Sequence, residues 1–289
     1  MRIAVFCLCA IALCSQVFGN ELRCNEDSDI RVAIGISDYA CFQRLVDTPS
    51  DANARIDDFF PYAGLVIRRD RFGAHYPPKY LAHLLKHGLD PSLKWENRHS
   101  SQNLLAYAIW RQNDEAMVQL LNAGADVELD SGAFSMLQSP LQTAIANQNL
   151  NAVRELIAKG ADVNRIPNEN GPSPLIHAVS SGHFFITAQL IDAGAEIEYS
   201  YRKPYEIWPL ISAARKGHVG AMGLLIDAGA NVNRQSIDTG LTALHGAVSA
   251  RSQGAIKLLL EAGAIPTLRS NYGRTPLEMA ARNKLDHLF

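Results

Sequence analysis

The stretch RKGHVGAMGLLIDAGANVN, residues 215–233, decides how the chain folds. Gly217-His218 reads as a tight turn that opens a helix. The aliphatic pair Leu225-Ile226 lies on that helix and fills space against a neighbouring layer. Gly229 then ends the helix in the left-handed conformation that a side chain resists. Ala230-Asn231-Val232-Asn233 leaves the helix as an extended loop. One such unit cannot bury its own apolar face, but a stack of units can.

The same plan recurs along the chain. Leu105, Leu141, Leu175, Leu210, Leu244 and Leu277 are spaced by 36, 34, 35, 34 and 33 residues. Three positions after each leucine comes an alanine: Ala108, Ala144, Ala178, Ala213, Ala247 and Ala280. Gly124, Gly160, Gly194, Gly229 and Gly263 form a glycine column, each preceded by an aliphatic pair and followed by alanine. Ser139-Pro140, Ser173-Pro174 and Thr275-Pro276 start the first helix of their units. A hydroxyl there caps free N–H groups, and proline in the first turn loses no hydrogen bond. The columns predict helix, turn, helix and loop in every unit: an all-α solenoid.

These residues resemble the ankyrin repeat, whose pattern T-P-L-H-x-A-A-x-x-G-H continues into V-x-L-L-L-x-x-G-A-D-V-N. SPLIHAVSSGH at 173–183, TALHGAV at 242–248 and KGADVNR at 159–165 follow it closely. The tetratricopeptide repeat has a similar period but no reason for the Gly-Ala-Asp-Val-Asn segment. The resemblance covers about 103–289, with units at about 103–130, 139–166, 173–200, 208–235 and 242–268 and a C-terminal cap at 275–289. Residues 20–94 are expected to form degenerate capping repeats ahead of the regular stack at 95–289. YLAHLLKHGLDP at 80–91 looks like a second helix with its glycine stop, and 31–53 like a shorter unit. Between them, 54–79 keeps little of the pattern and adds Phe59, Phe60, Tyr62, Phe72 and Tyr76.

The first 19 residues read as a cleaved secretory signal peptide. Arg2 precedes an apolar run from Ile3 to Leu13, and Val17-Phe18-Gly19 suits a signal peptidase. A membrane anchor is the alternative, but that run is shorter than the roughly 20 residues needed to span a bilayer. The expectation is a periodic-repeat protein located in the periplasm or secreted, without stable membrane insertion. Removing the segment takes Cys7, Cys9 and Cys14 with it and leaves Cys24 and Cys41. Two cysteines in an exported protein commonly pair. A Cys24–Cys41 disulfide is expected, against the alternative of two free thiols.

Charge and motifs narrow the function. With 27 basic and 29 acidic residues, the chain lacks the basic excess of a nucleic-acid-coating protein. There is no G-x-S-x-G elbow, phosphate-binding P-loop or G-x-G-x-x-G, so no catalytic residues are assigned and no cofactor is expected. By the resemblance, His183, His218 and His245 occupy turn and cap positions where they hydrogen-bond. His83 and His87 share a helix face at a metal-chelating spacing, but no third ligand is evident and a solvated face is the reading retained.

Ankyrin stacks, by resemblance, bind proteins through loop tips and the exposed face of the first helices. The matching helix positions are Trp110 and Arg111, Ala146 and Asn147, Ser180 and Ser181, Arg215 and Lys216, and Ser249 and Ala250. Loops preceding first helices carry Phe134 in one unit and Tyr199, Tyr201, Arg202, Lys203 and Tyr205 in another. Tyr, Trp and Arg are the usual binding hot spots. Trp110, Arg111, Phe134, Tyr199, Tyr201, Lys203, Tyr205, Arg215 and Lys216 are therefore the candidate partner-binding residues. Trp208 stands where threonine normally caps and is read as mostly structural. The function expected is non-catalytic recognition of another protein. It could be an immunity or inhibitor protein for a toxic effector. The alternatives are an accessory factor in stress defence and a secreted effector acting on host proteins.

Overall fold

The computed structural model describes residues 34, 39–46, 55–57, 60–68, 75–96, 101–129, 139–166, 172–202 and 206–289. The regular units are five helix pairs: α4 (Leu104–Trp110) with α5 (Asp114–Asn122), α6 (Pro140–Ala146) with α7 (Leu150–Ala158), α8 (Pro174–Ser181) with α9 (Phe184–Asp192), α10 (Pro209–Lys216) with α11 (Val219–Asp227), and α12 (Ala243–Ser249) with α13 (Gln253–Glu261). α14 (Pro276–Arg282) and a 3-10 turn at Asp286–Leu288 follow. Upstream lie α1 (Tyr39–Leu45), α2 (Tyr62–Ile67) and α3 (Lys79–Lys86).

First helices pack on first helices from α2 through α14, and second helices on second helices from α3 through α13. α1 docks on α3. The buried side chains join into one apolar cluster running from Ile34 to Leu285. The alanine column explains the tight approach: Ala108, Ala144, Ala178, Ala213, Ala247 and Ala280 are all fully buried where two first helices meet. Leu120, Leu156, Leu190, Leu225 and Leu259 are equally buried, one per second helix.

The caps follow the chemistry of the first turn. Ser139, Ser173, Thr242 and Thr275 each accept a backbone N–H at the start of their helix. Asn103 does the same for α4, accepting the Ala106 N–H at 2.7 Å. Trp208 precedes α10 without a side-chain cap. The helix-ending glycines all have positive φ, between 85° and 93° in Gly124, Gly160, Gly194, Gly229 and Gly263, where a side chain is strained.

Short antiparallel ribbons precede three of the first helices. β1 (Arg55–Asp57) pairs with β2 (Phe60–Pro61), β3 (Lys94–Glu96) with β4 (Ser101–Asn103), and β5 (Tyr201–Arg202) with β6 (Glu206–Ile207). They lead into α2, α4 and α10, so these three loops are hairpins.

The aromatic-rich segment 54–79 contains a first helix. α2 packs on α4 and α3 packs on α5, as in every later unit. The tight turn between the two helices is replaced by residues 68–78, which hides the unit from the sequence pattern. A hydrogen bond ties the unit to the next. Asn113 Nδ2 donates to Ile67 O at 2.9 Å. Asn147 and Asn283, which stand at the ends of their own first helices, also bond to the preceding unit, donating Nδ2 to Ile109 O at 3.1 Å and Val248 O at 3.3 Å.

A second hydrogen-bonded column closes the loop side. Ser92, Glu128, Asn164, Glu198 and Asn233 stand at equivalent positions, four residues after a helix-ending glycine. Each accepts the backbone N–H of the next unit: Asp126, Asp162, Glu196, Asn231 and Ile265, at 2.7–2.9 Å. The two asparagines add a second bond, donating Nδ2 to Gly194 O and Gly263 O. The two glutamates instead hold Arg165 and Arg234 at 2.8 Å. The column ties the loops into a rigid edge.

Candidate functional site

Trp110 ends α4 and is 49% exposed. It is built from below. Trp95 in β3 is buried and meets the Tyr107 ring edge-on, centroids 5.5 Å apart. The Tyr107 ring in turn lies 5.9 Å from Trp110. The Arg111 guanidinium sits over Trp110 at 5.3 Å and reaches Tyr107 at 6.0 Å. Such cation–π contacts hold a cation and an aromatic plate together at the surface. Burial pushes the Tyr107 phenol pKa up, against the opposing pull of Arg111 and Arg68.

The next units present little on this face. Asn147 spends its amide on Ile109 O, and Ser180 hydrogen-bonds Ser212 at 2.7 Å. The face becomes prominent again at α10, where Arg215 and Lys216 are both exposed. Gly246 in α12 makes room for the first of them. A Cβ there would lie 2.9 Å from Arg215 Cγ, so the arginine stem crosses the next helix. Trp110–Arg111 and Arg215–Lys216 thus share one face, three units apart. With adjacent helices ~8–10 Å apart, that is about 27 Å. They form two ends of an extended surface and no single pocket.

Of the loop residues, Tyr199 is half-buried, and burial with Glu196 nearby raises its pKa. Tyr201 starts the β5–β6 ribbon. Phe134, Lys203 and Tyr205 lie outside the described residues, as do Cys24 and the segment 1–19. Cys41 is buried in α1. Trp208 is partly buried against the core, with the Arg234 guanidinium 4.6 Å from its ring. Arg234 is held there by Glu198, which accepts from its Nε at 2.9 Å. This arrangement supports the structural role assigned to Trp208.

His245 and His218 hydrogen-bond as their positions imply, whereas His183 precedes α9 without a side-chain cap bond. His245 accepts the Thr242 N–H at Nδ1 and donates Nε2–H to Arg274 O at 3.0 Å. His218 Nε2 bonds to Ser180 O at 3.3 Å, joining two units. His83 departs from the solvated face expected of it. It is buried because α1 docks on α3; its Nε2 meets Val46 O, and its ring packs against Tyr39 and Phe42. Burial, with His87 beside it, lowers its pKa. No group of three or more metal-ligating side chains occurs among the described residues.

The sequence reading overlooked Phe184 and Phe185 at the start of α9. Both are exposed, with their rings 5.3 Å apart. The doublet is visible in FFI at 184–186, at a helix start where the other units carry Asp114, Leu150, Val219 and Gln253.

Comparison with known proteins agrees with this architecture. A family model described as ankyrin repeats (3 copies) matches residues 105–201 and 210–288. The chain belongs to the ankyrin repeat family. It is also 58% identical over 38 residues to the human SH3 and multiple ankyrin repeat domains protein 2. That stretch is 13% of this chain and 2% of the human protein, about one repeat in length. Ankyrin repeats are protein-binding modules, and nothing in the described geometry assembles a catalytic group. No helix among the described residues is long and apolar enough to cross a membrane.

Proposed function

We propose that the chain is an exported, non-catalytic module that recognises a partner protein through the face running from Trp110–Arg111 to Arg215–Lys216 and through its loop hairpins. The observation that carries this is the exposed Trp110 plate with Arg111 stacked on it. A large aromatic braced by two buried rings loses little conformational freedom on binding, as a hot spot requires. The hydrogen-bonded column on the loop side supports a stack that binds as a preformed surface.

Export to the periplasm or beyond rests on the pattern of residues 1–19. The disulfide-bonded state of Cys41 supports its pairing with Cys24 in an oxidising compartment. Within such a compartment the partner is an effector that this chain neutralises, as an immunity or inhibitor protein does. A stress-defence accessory role and a secreted effector acting on host proteins are the competing assignments.

The test is a pull-down with the mature chain, Trp110→Ala and Tyr201→Ala as baits. The proposal expects specific partners to be lost from both variants. Equal recovery from all three baits refutes the surface. Fractionation with N-terminal sequencing tests export, with Asn20 expected as the first residue; an intact Met1 overturns it.

A further inference from the structure

The turns joining first to second helices form a second surface, on the edge opposite the glycine-terminated helix ends. Phe184, Phe185 and Val219 stand there at the first turns of α9 and α11, and Phe185 is 70% exposed. Phe184 and Val219 are placed by small residues in the following unit. A Cβ at Gly220 would meet Phe184 Cδ2 at 3.0 Å, and one at Gly254 would meet Val219 Cγ2 at 3.3 Å. Phe184 and Val219 each rest on the next unit's glycine, and Phe185 stands against the Phe184 ring, 5.3 Å away, so the row is a stepped ridge. The turns themselves are in contact. A Cβ at Gly182 would fall 2.8 Å from the His218 ring, and one at Gly217 would fall 3.4 Å from Ser252.

The charge along this ridge is one-sided. Lys216, Arg251 and Lys284 are exposed in successive turns, and none makes an ion pair with a described residue. Residues 180–185, 215–220, 249–254 and 281–284 contain no Asp or Glu. Towards the N-terminus the same edge turns acidic at Asp114 and Glu115. We infer that this ridge docks an acidic protein segment carrying apolar side chains, which the doublet and Val219 contact while Lys216, Arg251 and Lys284 pair with its carboxylates. An adjacent exposed aromatic pair beside uncompensated cations is complementary to that chemistry. The acidic end of the edge disfavours a polyanion or a bilayer lying along its whole length. Four turns at ~8–10 Å per step span about 27 Å. An extended segment of about eight or nine residues at ~3.3 Å each covers that length.

The probe is a fluorescent nine-residue peptide alternating glutamate with leucine and phenylalanine. Its counterpart has lysine at every glutamate. Binding to the full chain is read by anisotropy, for wild type, Phe185→Ser, Arg251→Glu and the opposite-edge control Lys159→Glu. All are first matched by circular dichroism; should the serine variant misfold, Arg251→Glu carries the test. Expected are saturable binding of the glutamate peptide only, a Kd weakened about tenfold or more by Phe185→Ser and Arg251→Glu, and a change within about twofold for Lys159→Glu. No binding, equal binding of the lysine peptide, or indifference to both ridge variants overturns the inference. So does tighter retention by phosphatidylglycerol vesicles or oligouridylate, or a wild-type dimer that Phe185→Ser dissolves. Neither tested ridge residue belongs to the Trp110–Lys216 face, so failure here leaves that proposal standing.

Discussion

Replacing Glu198 tests whether the loop column does what its geometry implies. Its Oε1 accepts the Asn231 N–H at 2.9 Å, and its Oε2 takes Arg234 at 2.8 Å. Glu198→Ala removes both. A hydrogen bond to a charged acceptor contributes about 1.5–3 kcal/mol. The lower end applies here because Glu198 is 34% exposed and water can replace part of the bond. The ion pair, with Arg234 41% exposed, adds about 0.5 kcal/mol. The total is about 2 kcal/mol, and the melting temperature should fall by about 4–8 °C. Glu198→Asn should behave differently. Asn164 and Asn233 make the same inter-unit bond with Oδ1 and donate Nδ2 to the next glycine carbonyl. An amide at 198 can accept from Asn231 and donate to Gly229 O. Its cost should stay below about 0.5 kcal/mol, the lost ion pair being offset by the new bond. Urea unfolding measures the difference, and hydrogen exchange at the Asn231 amide localises it. If the asparagine variant is as damaged as the alanine one, or if the alanine variant protects Asn231 like wild type, the column is not load-sharing in the way described.

Three further outcomes follow. The pKa values of His83, His177, His183 and His245 are all lowered, with burial the largest cause. Their stabilising contribution is therefore present above the unfolded value of 6.5 and is lost as the pH falls through the folded values, which urea titrations from pH 7.5 to 5 should show; His245→Asn should lessen the slope. Gly124→Ala, with nothing within 4 Å of the new Cβ but φ +88°, should cost about 1 kcal/mol, whereas Gly182→Ala adds a 2.8 Å clash with His218 and should cost more in the same assay. Asn113→Ala removes a cap worth about 1 kcal/mol and strands the buried Ile67 carbonyl, for about 2–3 kcal/mol in all, with exchange rising across both α2 and α5.

The fold class was legible because its markers are positions that tolerate no drift. A helix stop at φ 85–93° demands glycine, and a first-helix contact without clearance demands alanine. Where the geometry is milder, the signal fades. The turn between helices has φ of 53–59° in Gln112, Gln148, Arg251 and Lys284, while Gly182 and Gly217 keep the consensus glycine. The loop column is filled by serine, glutamate and asparagine, because each supplies an acceptor at the right reach. α3 and its glycine stop were legible at 80–91, but α2 was not, because eleven residues, 68–78, stand where two or three usually turn. His83 was misjudged for a related reason: its helix pattern shows a polar face, and only the docking of α1 covers it. The candidate surface was legible at Trp110, Arg111, Arg215 and Lys216, since equivalent positions on stacked helices must share a face. The Phe184–Phe185 ridge was overlooked: the doublet shows in the sequence, but the seating of Phe184 on Gly220 of the next unit does not.

Site-specific photo-crosslinking measures the central claim most directly. A photoreactive phenylalanine analogue replaces Trp110 in one sample, Lys216 in a second, and the opposite-edge Asp192 and Asp227 in two controls. The account predicts one shared adduct from positions 110 and 216 and its absence from 192 and 227. The same adduct from all four positions, or one formed only at 192 and 227, would contradict recognition through this face.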